Sequence, residues 1–161
     1  EPRRLLQDVS DLLTPEADPW AATTHALTGG RSTQAAPDGP VGDWLLEPDP
    51  AIIRAGLIAE LCRQVDGHLV SPGIAYVTSP HRPPTGWGRL SRIDDVLPAR
   101  GKHLRAALGD VGHVEIRTRG LGVDPEALRR ELRLSGDGPG AQLVVTRLRG
   151  RAAALLVHDV S

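Results

Sequence analysis

The chain has 161 residues, a net charge of −1 and an apolar fraction of 40%, enough for one domain with an ordinary core. Aromatic residues make up 2%, with no Phe and no Met, so that core has to be built from Leu, Val, Ile and Ala. The single cysteine, Cys62, excludes an internal disulfide and reads as a small core residue. No apolar run approaches the ~20 residues of a bilayer span, and the start lacks the apolar stretch of a signal peptide, so a cytoplasmic setting without a membrane partner is expected.

Charge is unevenly spread. Through Ala99 there are 8 bases against 13 acids, and from Arg100 onward 11 bases against 7 acids. Sign asymmetry of this kind points to an anionic partner for the second part. Lys102 is the only lysine, and the arginine, alanine and glycine bias is of the kind a GC-rich bacterial genome produces. The chain opens on Glu1 and contains no Met, so it is expected to be a piece of something longer.

Residues 1–41 read as a poorly structured arm or a remnant of an upstream domain, with one short helix at 4–13 and then a Thr, Gly, Ala and Pro mixture. The domain proper is expected over 42–161. Asp49 and Pro50 open a helix as N-cap and first residue. Ile52, Ile53, Gly56, Leu57, Glu60, Leu61 and Val65 then recur at helical spacing to about Asp66, with Gly56 as a close packing contact. A short strand is expected at Ile74–Thr78, a Pro-rich surface loop at 81–86, a second strand at Gly88–Val96 and a helix from Pro98 to about Leu108.

Val114 and Ile116 alternate with Glu115, Arg117 and Arg119, which predicts a strand with one apolar and one charged face. Asp124 and Pro125 start the next helix, with Leu128 and Leu132 inward and Arg129, Arg130 and Arg133 outward. A glycine turn at 136–140 leads into a closing hairpin, Leu143–Leu148 and Ala152–Val157, joined at Arg149-Gly150. Mixed strands and helices in this order predict a small α/β layer structure.

Several constellations carry little chemistry. Gly120-Leu-Gly122 sits between strand and helix, but Asp124 already fills the helix N-terminus with negative charge, so a phosphate is not expected there. Asp94 and Asp95 are adjacent on an expected strand and should point to opposite faces, which bars them from acting as an acid–base pair. His25, His68, His81, His103, His113 and His158 show no ligand spacing, and no metal is expected. The arginines are different: Arg117, Arg119, Arg129, Arg130 and Arg133 are expected along one exposed side, extended by Arg147, Arg149 and Arg151, as a track for RNA phosphates. The competing reading is a solvated face with Glu126 and Glu131 as partners. Stacking platforms are scarce, with Tyr76 and Trp87 as candidates and Trp44 as a core anchor.

Over about residues 42–158 the chain resembles the THUMP-like domain at the C-terminus of bacterial, often actinobacterial, class I S-adenosylmethionine-dependent methyltransferase-like proteins. The likeness rests on Trp44-Leu-Leu-Glu-Pro-Asp-Pro-Ala-Ile-Ile-Arg-Ala-Gly56, Gly73-Ile-Ala-Tyr76, Asp95-Val-Leu-Pro98, Val114-Glu-Ile-Arg-Thr-Arg-Gly120, Asp124-Pro-Glu-Ala-Leu-Arg-Arg130 and Leu143-Val-Val-Thr-Arg147. The resemblance implies a mixed-sheet THUMP-like fold with helices packed on the sheet and a C-terminal hairpin. It implies a non-catalytic module that binds or positions RNA, tRNA or rRNA, for methylation, beside an upstream methyltransferase domain that supplies S-adenosylmethionine. No active site and no cofactor-binding residue is visible in this chain itself. The family strand usually carries lysines or arginines up to the glycine, and here Thr118 interrupts Arg117 and Arg119. The alternative to RNA recognition is a docking module for the methyltransferase domain that binds no nucleic acid, and a free-standing enzyme ranks below both.

Overall fold

The computed structural model describes residues 26–27, 36–84 and 86–160. The helix expected at 4–13 and most of the 1–41 segment lie outside these residues. Of that segment, Pro37 and Gly39 exchange backbone hydrogen bonds with Leu69, so residues 37–39 run alongside the sheet there.

Among the described residues, one mixed sheet of seven strands is flanked by four helices, as an α/β layer fold should be. The strands are β1 (Trp44–Pro48), β2 (His68–Leu69), β3 (Val77–Ser79), β4 (Gly88–Pro98), β5 (His113–Thr118), β6 (Gly140–Leu148) and β7 (Arg151–Asp159). Their order is β2-β3-β1-β4-β7-β6-β5. Every pairing is antiparallel except β5 with β6, which are parallel and joined through a helix. The helices are α1 (Pro50–Ala55), α2 (Ile58–Gln64), α3 (Gly101–Ala107) and α4 (Pro125–Leu132).

Local chemistry sets most of these boundaries. Asp49 accepts from the Ala51 N–H and Pro50 occupies the first turn of α1. Asp124 accepts from the Glu126 N–H, and Pro125 opens α4 in the same way. The β6–β7 hairpin closes on Arg149 and Gly150 with φ of 47° and 81°, the double left-handed turn whose twist suits antiparallel strands.

Three boundaries differ from those expected. The continuous helix predicted from Ile52 is two helices, because Gly56 takes φ 72° and caps α1 in the left-handed region. The strand expected at Ile74–Thr78 begins only at Val77, and the residues before it cross over the sheet instead of joining it. Pro98 ends β4, and α3 starts at Gly101.

Cross-strand register assigns residues to two faces. Leu46, Leu90, Arg92, His158, Leu156, Leu143 and Ile116 fall on one, and all four helices lie against it. There α2 buries Leu61 and Cys62 against Leu46, Val77 and Leu90, while α3 and α4 bury Leu104, Leu108 and Leu132 against Ile116, Leu143, Val145 and Ala154. The Cys62 thiol is pushed up to about 11 by burial and is inert. The opposite face carries Leu45, Ser91, Asp159, Val157, Leu155, Val144 and Arg117. The segment Val70–Tyr76 covers part of it, packing Val70, Ile74 and Tyr76 on Leu45, Val144, Leu155 and Val157.

The capping role of Gly56 has a sign that can be measured. Gly56→Ala should lower the urea unfolding free energy by about 1–2 kcal/mol, the cost of an L side chain in the left-handed region. A continuous helix through residue 56 would give the opposite, a gain of roughly 0.5–1 kcal/mol.

Candidate functional site

Arg117 on β5 and Arg119 just past its end do share a side, opposite Val114 and Ile116, but that side is the inner surface of a curled sheet. Arg117 Nη1 donates to Glu47 Oε1 at 2.5 Å, and Nη2 donates to Asp159 Oδ1 at 3.2 Å and to Ser91 Oγ at 3.4 Å. The Arg117 side chain is 11% exposed and that of Glu47 16%. Glu47 lies on β1, which the sheet order separates from β5 by β4, β7 and β6. A flat sheet would hold β1 and β5 about 19 Å apart, at about 4.8 Å per step, so the sheet must curl strongly for the two side chains to meet. A register shift in β4 between Ile93 and Asp95 marks a bulge, the local device that adds twist and bend.

The charge cluster reaches outward from Asp159. Ser91 Oγ donates to Asp159 Oδ1 at 2.7 Å, Gln142 Nε2 donates to Oδ2 at 3.3 Å, and Arg89 stands 3.6 Å from both Asp159 and Glu115. Burial pushes the Asp159 carboxyl up, but Ser91, Arg117, Arg89 and Gln142 together outweigh it and hold the group below its ordinary 3.8.

Arg119 is also engaged. Its Nη1 donates to the Ala75 carbonyl at 2.8 Å, and its guanidinium lies 4.7 Å from the centre of the Tyr76 ring. Burial, with Glu47 adding to it, pushes the Tyr76 hydroxyl up to about 12, so it stays protonated. These contacts pin the covering segment to the sheet.

The other three arginines lie on α4, against the helix-bearing face. Arg129 Nε donates to the Val114 carbonyl at 3.2 Å, capping the outer edge of β5, and Nη1 pairs with Glu126. Arg130 and Arg133 are exposed and form no ion pair among the described residues, Arg133 being the left-handed C-cap of α4. The five guanidinium groups expected in one stripe therefore divide between two faces of the sheet. Two are held inside by Glu47, Asp159 and Tyr76, one is shared with Glu126, and two are free.

Other expectations change for the same reason. Tyr76 and Trp87, the candidate stacking platforms, are buried. Trp44 is only half-buried, with Arg82 and Arg92 each 5.7 Å from its ring centre. Asp94 and Asp95 do not alternate, because Asp94 is the extra residue of the bulge. It faces His158 Nδ1 at 2.8 Å, while Asp95 stands opposite Leu156 on that same side. The Asp95 carboxylate is turned back to accept from the Val96 N–H. Sequence reasoning missed Glu47 and Asp159 as partners of Arg117, since only the curl of the whole sheet brings residues 47, 117 and 159 together. Among the described residues no cluster of His, Cys, Asp and Glu could hold a metal ion, and no helix is long and apolar enough to cross a membrane.

This architecture has counterparts. Residues 88–159, the span from β4 through β7, match the family described as THUMP domain-like. Over 111 residues, 68% of the chain, it is 38% identical to an uncharacterized S-adenosylmethionine-dependent methyltransferase of Mycobacterium tuberculosis, with the same figures in strains CDC 1551 / Oshkosh and ATCC 25618 / H37Rv. The matched part is 30% of each relative's length, so the chain spans under a third of these proteins. A crystal structure from Porphyromonas gingivalis W83, described as a candidate methyltransferase, superposes with a TM-score of 0.64 at 20% identity. It covers 76% of this chain and 30% of that one, and shares the fold. The unit thus recurs within chains named as methyltransferases.

Two outcomes follow from the inner cluster. Arg117→Ala leaves the largely buried Glu47 carboxylate without its partner and should cost about 2–3 kcal/mol in urea unfolding, whereas Arg130→Ala, at an exposed position, should stay within about 0.5 kcal/mol. The Asp159 carboxyl titrates lower folded than unfolded, so its contribution is complete above 3.8 and fades as pH falls through its depressed folded value. Urea midpoints measured from mildly to strongly acidic pH should therefore drop on the acid side, and Asp159→Asn should flatten that drop.

Proposed function

We propose that this chain is the THUMP-like module of a methyltransferase-like protein and that it holds an RNA substrate, tRNA or rRNA, for a methyltransferase domain elsewhere in the same protein. S-adenosylmethionine would belong to that other domain. The relatives support this: they are named as S-adenosylmethionine-dependent methyltransferases, and the matched part is 30% of their length. A cytoplasmic location and the division at about residue 42 belong to the same reading.

The observation that carries it is the separation of roles among the arginines. Arg130 on α4 and Arg133 at its C-cap are exposed and have no ion-pair partner among the described residues, which suits them to bidentate phosphate contact. Arg129 holds Glu126 with one nitrogen and keeps its other terminal nitrogen for a phosphate. Arg117 and Arg119 serve the site from beneath by fixing the curl and the covering segment. With Tyr76 and Trp87 buried, recognition rests on shape and backbone charge, not on stacked bases.

A second reading, a docking module without RNA contact, is favoured by the internal pairing of Arg117 and Arg119 and by the near-neutral total charge. Fluorescence anisotropy of the chain with a labelled tRNA pool over a salt series separates the two. Salt-sensitive binding is expected, and Arg130→Ala with Arg133→Ala should flatten the log–log slope by about 0.7–0.9 for each phosphate no longer neutralised. Absence of binding at low salt would leave only the docking role.

A further inference from the structure

The curled inner face is covered by Val70–Tyr76 over one part and left open at the other. Where β4 runs out and β7 begins, an open groove of about 700 Å³ is lined by Val96, Leu97, Pro98, Arg100, His103 and Arg151, among others. Register places Val96 opposite Leu155, Pro98 opposite Ala153 and Leu148 opposite Arg151, so its floor continues the inner face of the sheet. That floor is apolar, and Val96, at 41% exposure, is the exposed large hydrophobic side chain among the described residues.

Both walls carry an arginine. Arg100 and His103 come from the start of α3, and Arg151 from the other end of the chain, at the foot of the hairpin. No carboxylate lines the groove. Residues 99–105 and 147–151 together carry six of the chain's nineteen lysines and arginines and no acid. Arg100, Lys102, Arg105, Arg149 and Arg151 are exposed and form no ion pair among the described residues. Arg147 is the exception in this group, since it donates to the Gly120 and Gly150 carbonyls and braces the turn. In a chain of net charge −1, two segments distant in sequence are folded together into a surface rich in positive charge, with the Glu131 carboxylate lying behind it against Gly101.

We infer that this groove is a second phosphate-binding surface and takes the sugar–phosphate backbone of a folded RNA, with Arg100 and Arg151 gripping phosphates from opposite walls and the apolar floor beneath the sugars. The inference rests on the RNA-positioning reading above and extends it from α4 to the groove beside α3. Guanidinium forks on two walls match a phosphodiester chain, which offers anionic oxygens at regular intervals and needs no acid in return. With no Phe, Tyr or Trp in its lining, the groove reads mainly backbone shape and not base identity.

The test is tRNA-pool anisotropy over a salt series with the full chain, its Arg100→Ala/Arg151→Ala variant and an Arg54→Ala control. Arg54 is exposed on α1, at the other end of the sheet. The groove variant should bind more weakly and shed about 1.4–1.8 from the slope, at 0.7–0.9 per phosphate, with an unchanged urea midpoint, while the control keeps the parent slope. RNA binding with a parent-like slope in the groove variant overturns the groove and leaves the RNA reading standing. No RNA binding by the parent chain overturns both. Displacement of the RNA by poly-glutamate at matched charge concentration, with the Arg100→Ala/Arg151→Ala variant resistant to it, would reassign the groove to an acidic protein partner.

Discussion

The contact on which the rest of this molecule depends is the one between Arg117 and Glu47. It joins the two strands that the sheet order keeps furthest from direct pairing among its five longer members, and it does so with both side chains largely out of water. Placing two opposite charges in such a site is costly unless their geometry and remaining hydrogen bonds are good. Ser91 and Asp159 accept from the Arg117 guanidinium, Gln142 and Arg89 bond Asp159 in turn, and Arg117 Nε is left without a partner among the described residues; the cluster grades from largely buried at Glu47 to half-exposed at Arg89. Arg117 can meet Glu47 and Asp159 together only when the register of the strands and the curl of the sheet bring all three side chains to one place.

That curl determines what the surface can offer. The concave side gains a patch of core under Val70–Tyr76, pinned by Arg119 on Tyr76 and by the bonds from Arg149 N–H to the Val70 carbonyl and from Gly150 N–H to Ser71 Oγ. The convex side receives all four helices. Free positive charge is then left where neither cover reaches: on the outer surface of α4, and around the open end of the concave face beside α3. Arginine thus plays two different parts in one small unit. Some guanidinium groups act as internal struts, and others remain available to anions.

Much of this is legible in the residues. The Asp-Pro starts of α1 and α4, the closing hairpin and the alternation of β5 are local signals, set by capping, turn geometry and period-two patterning, and they survive folding unchanged. The same alternation places Val114 and Ile116 opposite Arg117 and Arg119, as the strand has them. What cannot be read is the environment of the charged face. Alternation tells which side chains share a side, not whether that side meets water, and Arg117 is enclosed by residues seventy positions before it and forty-two after it. Gly56 illustrates a related gap, since helical spacing continues through it while its left-handed conformation breaks the helix. The bulge at Asp94 leaves no signature that spacing could detect. The acid-free run Arg100-Gly-Lys-His-Leu-Arg105 is visible, but its partner at the foot of the hairpin becomes apparent only through the pairing of β4 with β7.

That last pairing governs the order in which the molecule can be assembled. β4 is complete at residue 98, yet one of its two neighbours, β7, is not available until residues 151–159 have been made. Until then β4 has an open edge toward the middle of the sheet, and β6 has another. Unpaired edges of this kind invite other chains. During synthesis the growing polypeptide therefore carries the centre of its sheet unfinished from residue 98 onward, and the final strand is the keystone that closes both edges at once.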